Sequence, residues 1–498
     1  MSDIRITYTG LVSFFISMIA MIAGILFTLI LTRTLTQEEY GLWSLISSLI
    51  GYVMISNLII SYWSTRETAR EIESGKTAVA GTMVLSIISI IGYIVLSILM
   101  GIQTETNLKI LLFSSILIPP MFLHGILNAI NLGWKPQVIS YGSIAFGISQ
   151  IPFALFFVYY LDYGVYGVVL TNVIAFSINI VILFKYAKNK LKNQLQLFFF
   201  KSWLKLSWLP LYPGLFILVD TFGIVIFSSI TGSVLGIAIW AAANVSPGII
   251  KNVQLISRAV YPKLLEGDKK NYLEDNTIHL FYFNFLMTGL VIVFAKPALF
   301  ILNPIYQEAS IVVSILAMRN FFYVLTSIFI QNLGGDETVD MNKNVTFMQY
   351  CKSRLFYPNT LRLIQASFFI SLLPIGVIIL LQNNFEMMDL LNFWALLLLI
   401  FTIPLTIYLY IKTKKILNFS VNHTVLLKYV IVTFIVFSLT YFLLEEFLEY
   451  NESLTVFIPQ LFMFLIFGTS SYFALTFAID KKTRILVKSI IKEIRKRN

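Results

Sequence analysis

The sequence predicts an all-α fold, a polytopic membrane protein of about 14 transmembrane helices arranged as two six-helix bundles plus two C-terminal helices. Three observations predict it. Of 498 residues, 58% are hydrophobic and 12% charged, with mean hydropathy +0.82, whereas a soluble domain is roughly a quarter charged. Apolar stretches near the ~20 residues needed to cross the hydrocarbon recur along the chain. Lysine and arginine, finally, gather in every second gap between those stretches, a pattern that fixes which gaps face the cytoplasm.

The spans fall near residues 8 to 31, 42 to 60, 79 to 101, 108 to 131, 138 to 158, 163 to 184, 209 to 230, 234 to 257, 279 to 301, 306 to 332, 361 to 381, 391 to 411, 425 to 445 and 455 to 478. The first is longer than a signal-peptide core and lacks a small-residue cleavage site, so it is expected to remain as the first helix. Pro119, Pro120, Pro152, Pro210, Pro213, Pro247, Pro374 and Pro404 lie within or beside spans. Each frees a carbonyl and is a candidate kink.

Even-numbered gaps hold Arg66, Arg70 and Lys76; Lys135; Lys185, Lys188, Lys190, Lys192, Lys201 and Lys205; Arg258, Lys263, Lys269 and Lys270; Lys343, Lys352 and Arg354; and Lys412, Lys414 and Lys415. Odd-numbered gaps carry Arg33 beside Glu38 and Glu39, a cation-free stretch from Gln382 to Asp389, and the acidic turn of Glu445, Glu446, Glu449 and Glu452. A multi-pass protein of the cytoplasmic membrane with both termini cytoplasmic follows. The net charge of +11 is thereby topogenic and lipid-facing. Nucleic acid is not an expected partner, because these scattered loop cations form no contiguous basic face with aromatics.

Two cytoplasmic pieces are amphipathic and suited to anionic lipid: Lys188 to Trp208, with Leu195, Phe198 and Trp203, and the tail from Lys481, with Ile485, Ile490 and Ile494. Gly334 to Thr360 is the longest polar insertion. It holds the sequon Asn344-Val-Thr346, which falls on the cytoplasmic side; Asn451-Glu-Ser453 falls outside.

A faint duplication organises the chain. Thr36 to Gly41 (TQEEYG) matches Thr231 to Gly236 (TGSVLG), Glu73-Ser-Gly75 matches Leu265-Glu-Gly267, and Ile130-Asn-Leu-Gly133 matches Gln331-Asn-Leu-Gly334. Six spans separate each pair, so the halves repeat in parallel, with the substrate path expected between them. The implied organisation is a bundle at 1–187, an amphipathic linker at 188–208, a bundle at 209–415, two helices at 416–480 and a basic tail at 481–498.

The turn Arg33-Thr-Leu-Thr-Gln-Glu-Glu-Tyr40-Gly41 resembles that of the polysaccharide flippases in the multidrug/oligosaccharidyl-lipid/polysaccharide exporter superfamily. Gly164-Val-Tyr-Gly167, Phe294-Ala-Lys-Pro297, Tyr306-Gln-Glu-Ala309 and Ile315-Leu-Ala-Met318 are similar to the same family in order and place. The insertion at Gly334 to Thr360 departs from it. The resemblance implies a flippase that carries a polyisoprenyl-phosphate- or diphosphate-linked oligosaccharide to the outer leaflet for surface polysaccharide or glycoprotein assembly. Its expected partners are that substrate, membrane lipids and polysaccharide assembly enzymes, with the chain acting as a monomer and without cofactor.

Candidate site residues are ionisable groups in or bordering spans, where charge costs ~3 kcal/mol or more and so faces an interior or a water-filled path. Arg33, Arg66, Lys251 and Arg319 are candidates for a substrate phosphate; Asp220 and His124 are candidates for coupling. Each has a plainer reading: Asp220 and Lys251 as a structural ion pair, Arg33 and Arg66 as snorkelling interfacial arginines, His124 as a hydrogen-bonded packing residue. No catalytic or metal-ligating set is expected. The single Cys351 excludes an internal disulfide and a cysteine-built metal site, three histidines give metal chemistry little support, and Ser74-Gly-Lys-Thr77 is not a phosphate-binding loop, since Arg70 stands where its first glycine belongs. Two rival functions remain open: an ion-coupled small-molecule exporter of the same superfamily, which would want a buried carboxylate cluster, and a membrane polymerase or ligase, which would want larger outer loops.

Overall fold

The computed structural model describes residues 3–254, 270–334, 346–354, 356–417, 423–481 and 483–484, with backbone alone for 3–18, 270–273 and 275. The far end of the eighth span, Leu265 to Gly267, the sequon at Asn344 and the amphipathic tail from Ile485 lie outside the described residues. Among the described residues eleven helices are long and apolar enough to cross a membrane, or twelve if one bent pair counts as a span. Of the other two expected spans, the first is apolar over Ile19–Thr34 within a longer helix, and the eighth is the 16-residue helix Leu235–Ile250. Ile87, Ile88, Ile91, Val95 and Ile102 stand exposed along one helix, as lipid contact allows and water does not.

The chain divides into two compact units, one of residues Met1–Ala242 with Asn359–Phe393, the other of Ala243–Pro358 with Trp394–Asn498. The first holds α1 (Asp3–Thr34), α2 (Gln37–Met54), α3 (Asn57–Ala69), α4 (Gly75–Gln103), α5 (Leu108–Phe113), α6 (Ile118–Trp134), α7 (Gln137–Ala154), α8 (Gly164–Ala187), α9 (Leu197–Lys205) and α10 (Trp208–Thr231), and the start of α11 (Leu235–Ile250). Helix α7 packs on α1 and α8, and α6 packs on α3, α4 and α8. Between them lies a core that includes Leu45, Ile46, Leu49, Ile60, Tyr93 and Phe122. Helix α10 packs against α2, α3 and α4 rather than only against its neighbours in sequence.

The second expected span is one stretch in sequence but two helices in the structure: α2 and α3 meet at 57°. Proline does not cause the bend. The hydroxyls of Ser56 and Ser89 both donate to the Val53 carbonyl, at 3.0 and 3.3 Å, competing with the helical ladder where it must turn. Pro152 stands two residues before the end of α7, and a wider π-type turn, Leu155–Tyr160, follows.

The second unit continues from α11 into α12 (Lys270–Val293), α13 (Ala295–Leu302), α14 (Ser310–Gly334) and α15 (Phe347–Cys351). Of α16 (Phe356–Gln382) and α17 (Met387–Leu417), the first from Asn359 on and the opening turns of the second belong to unit one; the remainder of α17 joins α18 (His423–Phe447) and α19 (Leu454–Ile479) in unit two. The ninth expected span also breaks, between α12 and α13, because Pro297 has no N–H for the Val293 carbonyl four residues back. Helices α12, α18 and α19 are joined by three buried tyrosines. The Tyr282 ring lies 5.1 Å from that of Tyr429 and 5.2 Å from that of Tyr472, and the Tyr472 hydroxyl donates to the Tyr282 carbonyl at 2.9 Å.

Candidate functional site

In unit two, α11 runs to Ile250 and continues as a tighter 3-10 turn through Lys251. Opposite it, α14 presents Arg319, Asn320 and Tyr323. The Asn320 amide donates to the Pro247 carbonyl at 2.9 Å, joining the two helices. Its Oδ1 accepts from an Arg319 guanidinium nitrogen at 3.4 Å. Arg319 is buried, at 8% exposure, and its guanidinium carbon stands 5.1 Å from the centre of the Tyr323 ring. The Lys251 ammonium reaches the same ring at 5.5 Å. Each cation gains about 0.5–2 kcal/mol from the aromatic face. Arg319 lies buried within a membrane-spanning helix and Lys251 is exposed beside it, so two cationic groups meet one aromatic ring at the edge of a span.

Of the six sequence-derived candidates, the structure thus brings Lys251 and Arg319 together. The other four lie in unit one and are spread over it. Arg66, in the last turn of α3, stacks 4.3 Å above the Tyr62 ring. Arg33 is half-buried in the last turn of α1. His124 on α6 is hydrogen-bonded to the Asn128 amide at 3.2 Å and rests 5.4 Å from the Phe176 ring, the geometry of a packed histidine. Asp220 is half-buried on α10, one residue from Thr221, whose carbonyl accepts the Tyr52 hydroxyl at 2.6 Å.

Three residues were not among the candidates. Tyr323 and Asn320 organise the cationic pair. Arg362, on α16, places its guanidinium 4.7 Å from the Phe216 ring of α10, beside the hydrogen-bonded hydroxyls of Tyr212 and Thr360. A cation one residue inside the expected eleventh span was the available signal for Arg362. For Tyr323 it was the four-residue spacing from Arg319, which puts both on one helix face.

The glycine motifs also find their reasons. Thr36 caps α2, its hydroxyl accepting the Glu39 N–H at 3.2 Å while the Glu39 carboxylate accepts the Thr36 N–H at 3.0 Å. Gly164, at φ 53°, opens α8 directly against that Glu39 carboxylate, where a side chain would have no room. Gly41 lies against the carbonyl of Val234, so the TQEEYG and TGSVLG turns meet. Nearby, the Ser229 hydroxyl donates to Gln103 Oε1 at 2.6 Å. Among the described residues no cluster of His, Cys, Asp and Glu could hold a metal.

No family model and no curated protein matches the sequence. Solved structures do match in fold. The lipid II flippase MurJ in an inward closed conformation superimposes with a TM-score of 0.65 at 14% identity, covering 96% of this chain and 100% of that one. A multidrug resistance MATE family transporter of the MOP superfamily, inward-facing, gives 0.55 at 11% identity over 80% of this chain and 95% of that one. A MOP superfamily transporter from Pyrococcus furiosus gives 0.51 at 12%, over 82% and 95%. The chain has the multi-pass membrane fold of the MOP superfamily transporters.

Proposed function

We propose that this protein moves a polyisoprenyl-phosphate- or diphosphate-linked oligosaccharide from the cytoplasmic to the outer leaflet of the cell membrane by alternating access, with Lys251 and Arg319 holding the phosphate. The observation that carries the reading is their convergence on Tyr323, at 5.5 and 5.1 Å. A phosphate or diphosphate is the part of such a cargo that hydrocarbon excludes most strongly, and a cationic pocket offsets that cost. The likeness in fold to a lipid II flippase supports the same class of cargo. By the charge pattern the Gly41–Val234 and Ser229–Gln103 contacts lie at the outer ends of their helices, so the reading takes them as a closed outer gate and the cytoplasmic side as the loading side.

The test is a vesicle assay. The purified protein is reconstituted, and a labelled polyprenyl-linked sugar is followed as it becomes accessible from the opposite face. Wild type is expected to accelerate the exchange, Arg319→Ala to slow it at least tenfold, and Arg319→Lys to retain part of the rate. No acceleration by wild type removes the proposal. The second reading, an ion-coupled exporter of small molecules, is supported by the likeness in fold to a multidrug resistance MATE family transporter and would depend on Asp220 instead. Loss of transport in Asp220→Asn with Arg319→Ala silent would favour that second reading.

A further inference from the structure

A pocket of about 640 Å³ lies in unit two, where the end of α12, α13, α14, α18 and the turn after α18 meet; none of Lys251, Arg319 and Tyr323 lines it, and Ile315 of its wall stands one helical turn from Arg319 on α14. Its polar wall carries Lys296, Glu445 and Glu446; its apolar wall includes Ile311 and Phe442, which are 59% and 62% exposed. The Lys296 ammonium stands 5.4 Å from the centre of the Tyr450 ring. That ring is fixed by Phe300 and Phe457, at 5.1 and 5.6 Å. Glu445 accepts the Tyr441 hydroxyl at 2.7 Å on one carboxylate oxygen.

The electrostatics select a ligand. Glu445 and Glu446 sit in the last turns of α18, and no basic residue stands in its final turn. Carboxylates at a helix C-terminus meet the negative end of the macrodipole, so the site favours a cation there. Lys296, on α13 across the pocket, favours an anion. The pair of demands, an anionic group and an ammonium a few ångströms apart with an apolar wall alongside, is met by a phosphoethanolamine lipid headgroup. A purely anionic headgroup would satisfy Lys296 and face two carboxylates. The exposed Ile311 and Phe442 fit the upper part of an acyl chain at the membrane interface.

We propose that this pocket binds the headgroup of a phosphatidylethanolamine, its phosphate on Lys296 and its ammonium on Glu445 and Glu446. The site is independent of the cargo reading.

The full chain in detergent is incubated with equal amounts of phosphatidylethanolamine and phosphatidylglycerol, and retained lipid is counted by native mass spectrometry. Wild type should retain phosphatidylethanolamine preferentially. Lys296→Ala should weaken that retention by about fivefold, the effect of one exposed ion pair. Glu445→Gln with Glu446→Gln should equalise the two lipids while thermal melting stays at the wild-type value. Equal retention of both lipids by wild type, or a preference unchanged in all variants, overturns the proposal. So does displacement of the lipid by free phosphoethanolamine at the same concentration, which would show that the apolar wall plays no part. Should Lys296→Ala fail to fold, Lys296→Gln in the same assay decides.

Discussion

Gly41 of α2 lies so close to the backbone carbonyl of Val234 that a methyl group at Gly41 would collide with it. The obstacle is main chain and cannot rotate away. Alanine would return about 1 kcal/mol of helix propensity, but overpacking against a fixed backbone costs about 1–3 kcal/mol, and the second term wins. Gly41→Ala should lower the melting temperature, whereas Gly51→Ala, with no atom within 4 Å of its added methyl, should leave it level or raise it.

Tyr323 is the common support of Lys251 and Arg319. Tyr323→Leu keeps the volume near constant and removes the aromatic face, a loss of about 1 kcal/mol per cation. Transport in vesicles should fall several-fold with little change in melting temperature. An unaltered rate would separate the ring from the proposed phosphate-holding role of the two cations.

The amphipathic linker is docked through part of its surface. Leu197 and Phe198 are 72% and 75% exposed, yet Trp203 of the same short helix is buried and its indole N–H donates to Glu67 Oε1 at 3.0 Å. Trp203→Phe keeps the packing and deletes the bond, so denaturant unfolding should show a loss of about 1–2 kcal/mol. A Trp203→Phe variant as stable as Glu67→Gln combined with it would tie the effect to that one bond.

Tyr450, in the turn between α18 and α19, has its phenol pushed up to about 12 by burial, with Glu445 and Tyr441 adding to the shift. A raised folded value means the neutral phenol favours the fold fully below its ordinary value near 10, and that contribution fades as pH rises toward about 12. In an ultraviolet titration, the wild-type minus Tyr450→Phe difference should show phenolate absorbance arising only near the upper value. A transition at the ordinary value would refute the shift.

Orientation is open to direct labelling. In a Cys351→Ala background, single cysteines at Glu105 and Asn384, both exposed turn positions, should react with an impermeant thiol reagent in intact cells. One at Asn189 should react only after permeabilisation. The reverse pattern would invert the topology.

The class of fold was open to reading from composition and charge alone, since hydrocarbon admits hardly anything but apolar helices and topogenic cations mark one side. Lys251 and Arg319 could be named as costly charges within spans. The breaks were less legible: Pro297, which causes one of them, was not among the expected kinks, and at the bend after Met54 the Val53 carbonyl is shared by the local Ser56 and by Ser89 from another helix. The site's supports were hidden for the same reason. Asn320 reaches Pro247, and Tyr323 serves Lys251, across a helix pair that no local pattern identifies.

What the sequence by itself determined was the class of fold, a series of apolar helices of about spanning length with cations gathered in alternate gaps, all properties of short stretches of chain meeting a lipid solvent. Only the tertiary structure decided that two cations share one tyrosine, that Gly41 must be glycine because Val234 lies against it, and that Lys296 and two glutamates line one pocket. Those are contacts between residues far apart in the chain, set by which helix faces pack, and packing is chosen by the fold as a whole.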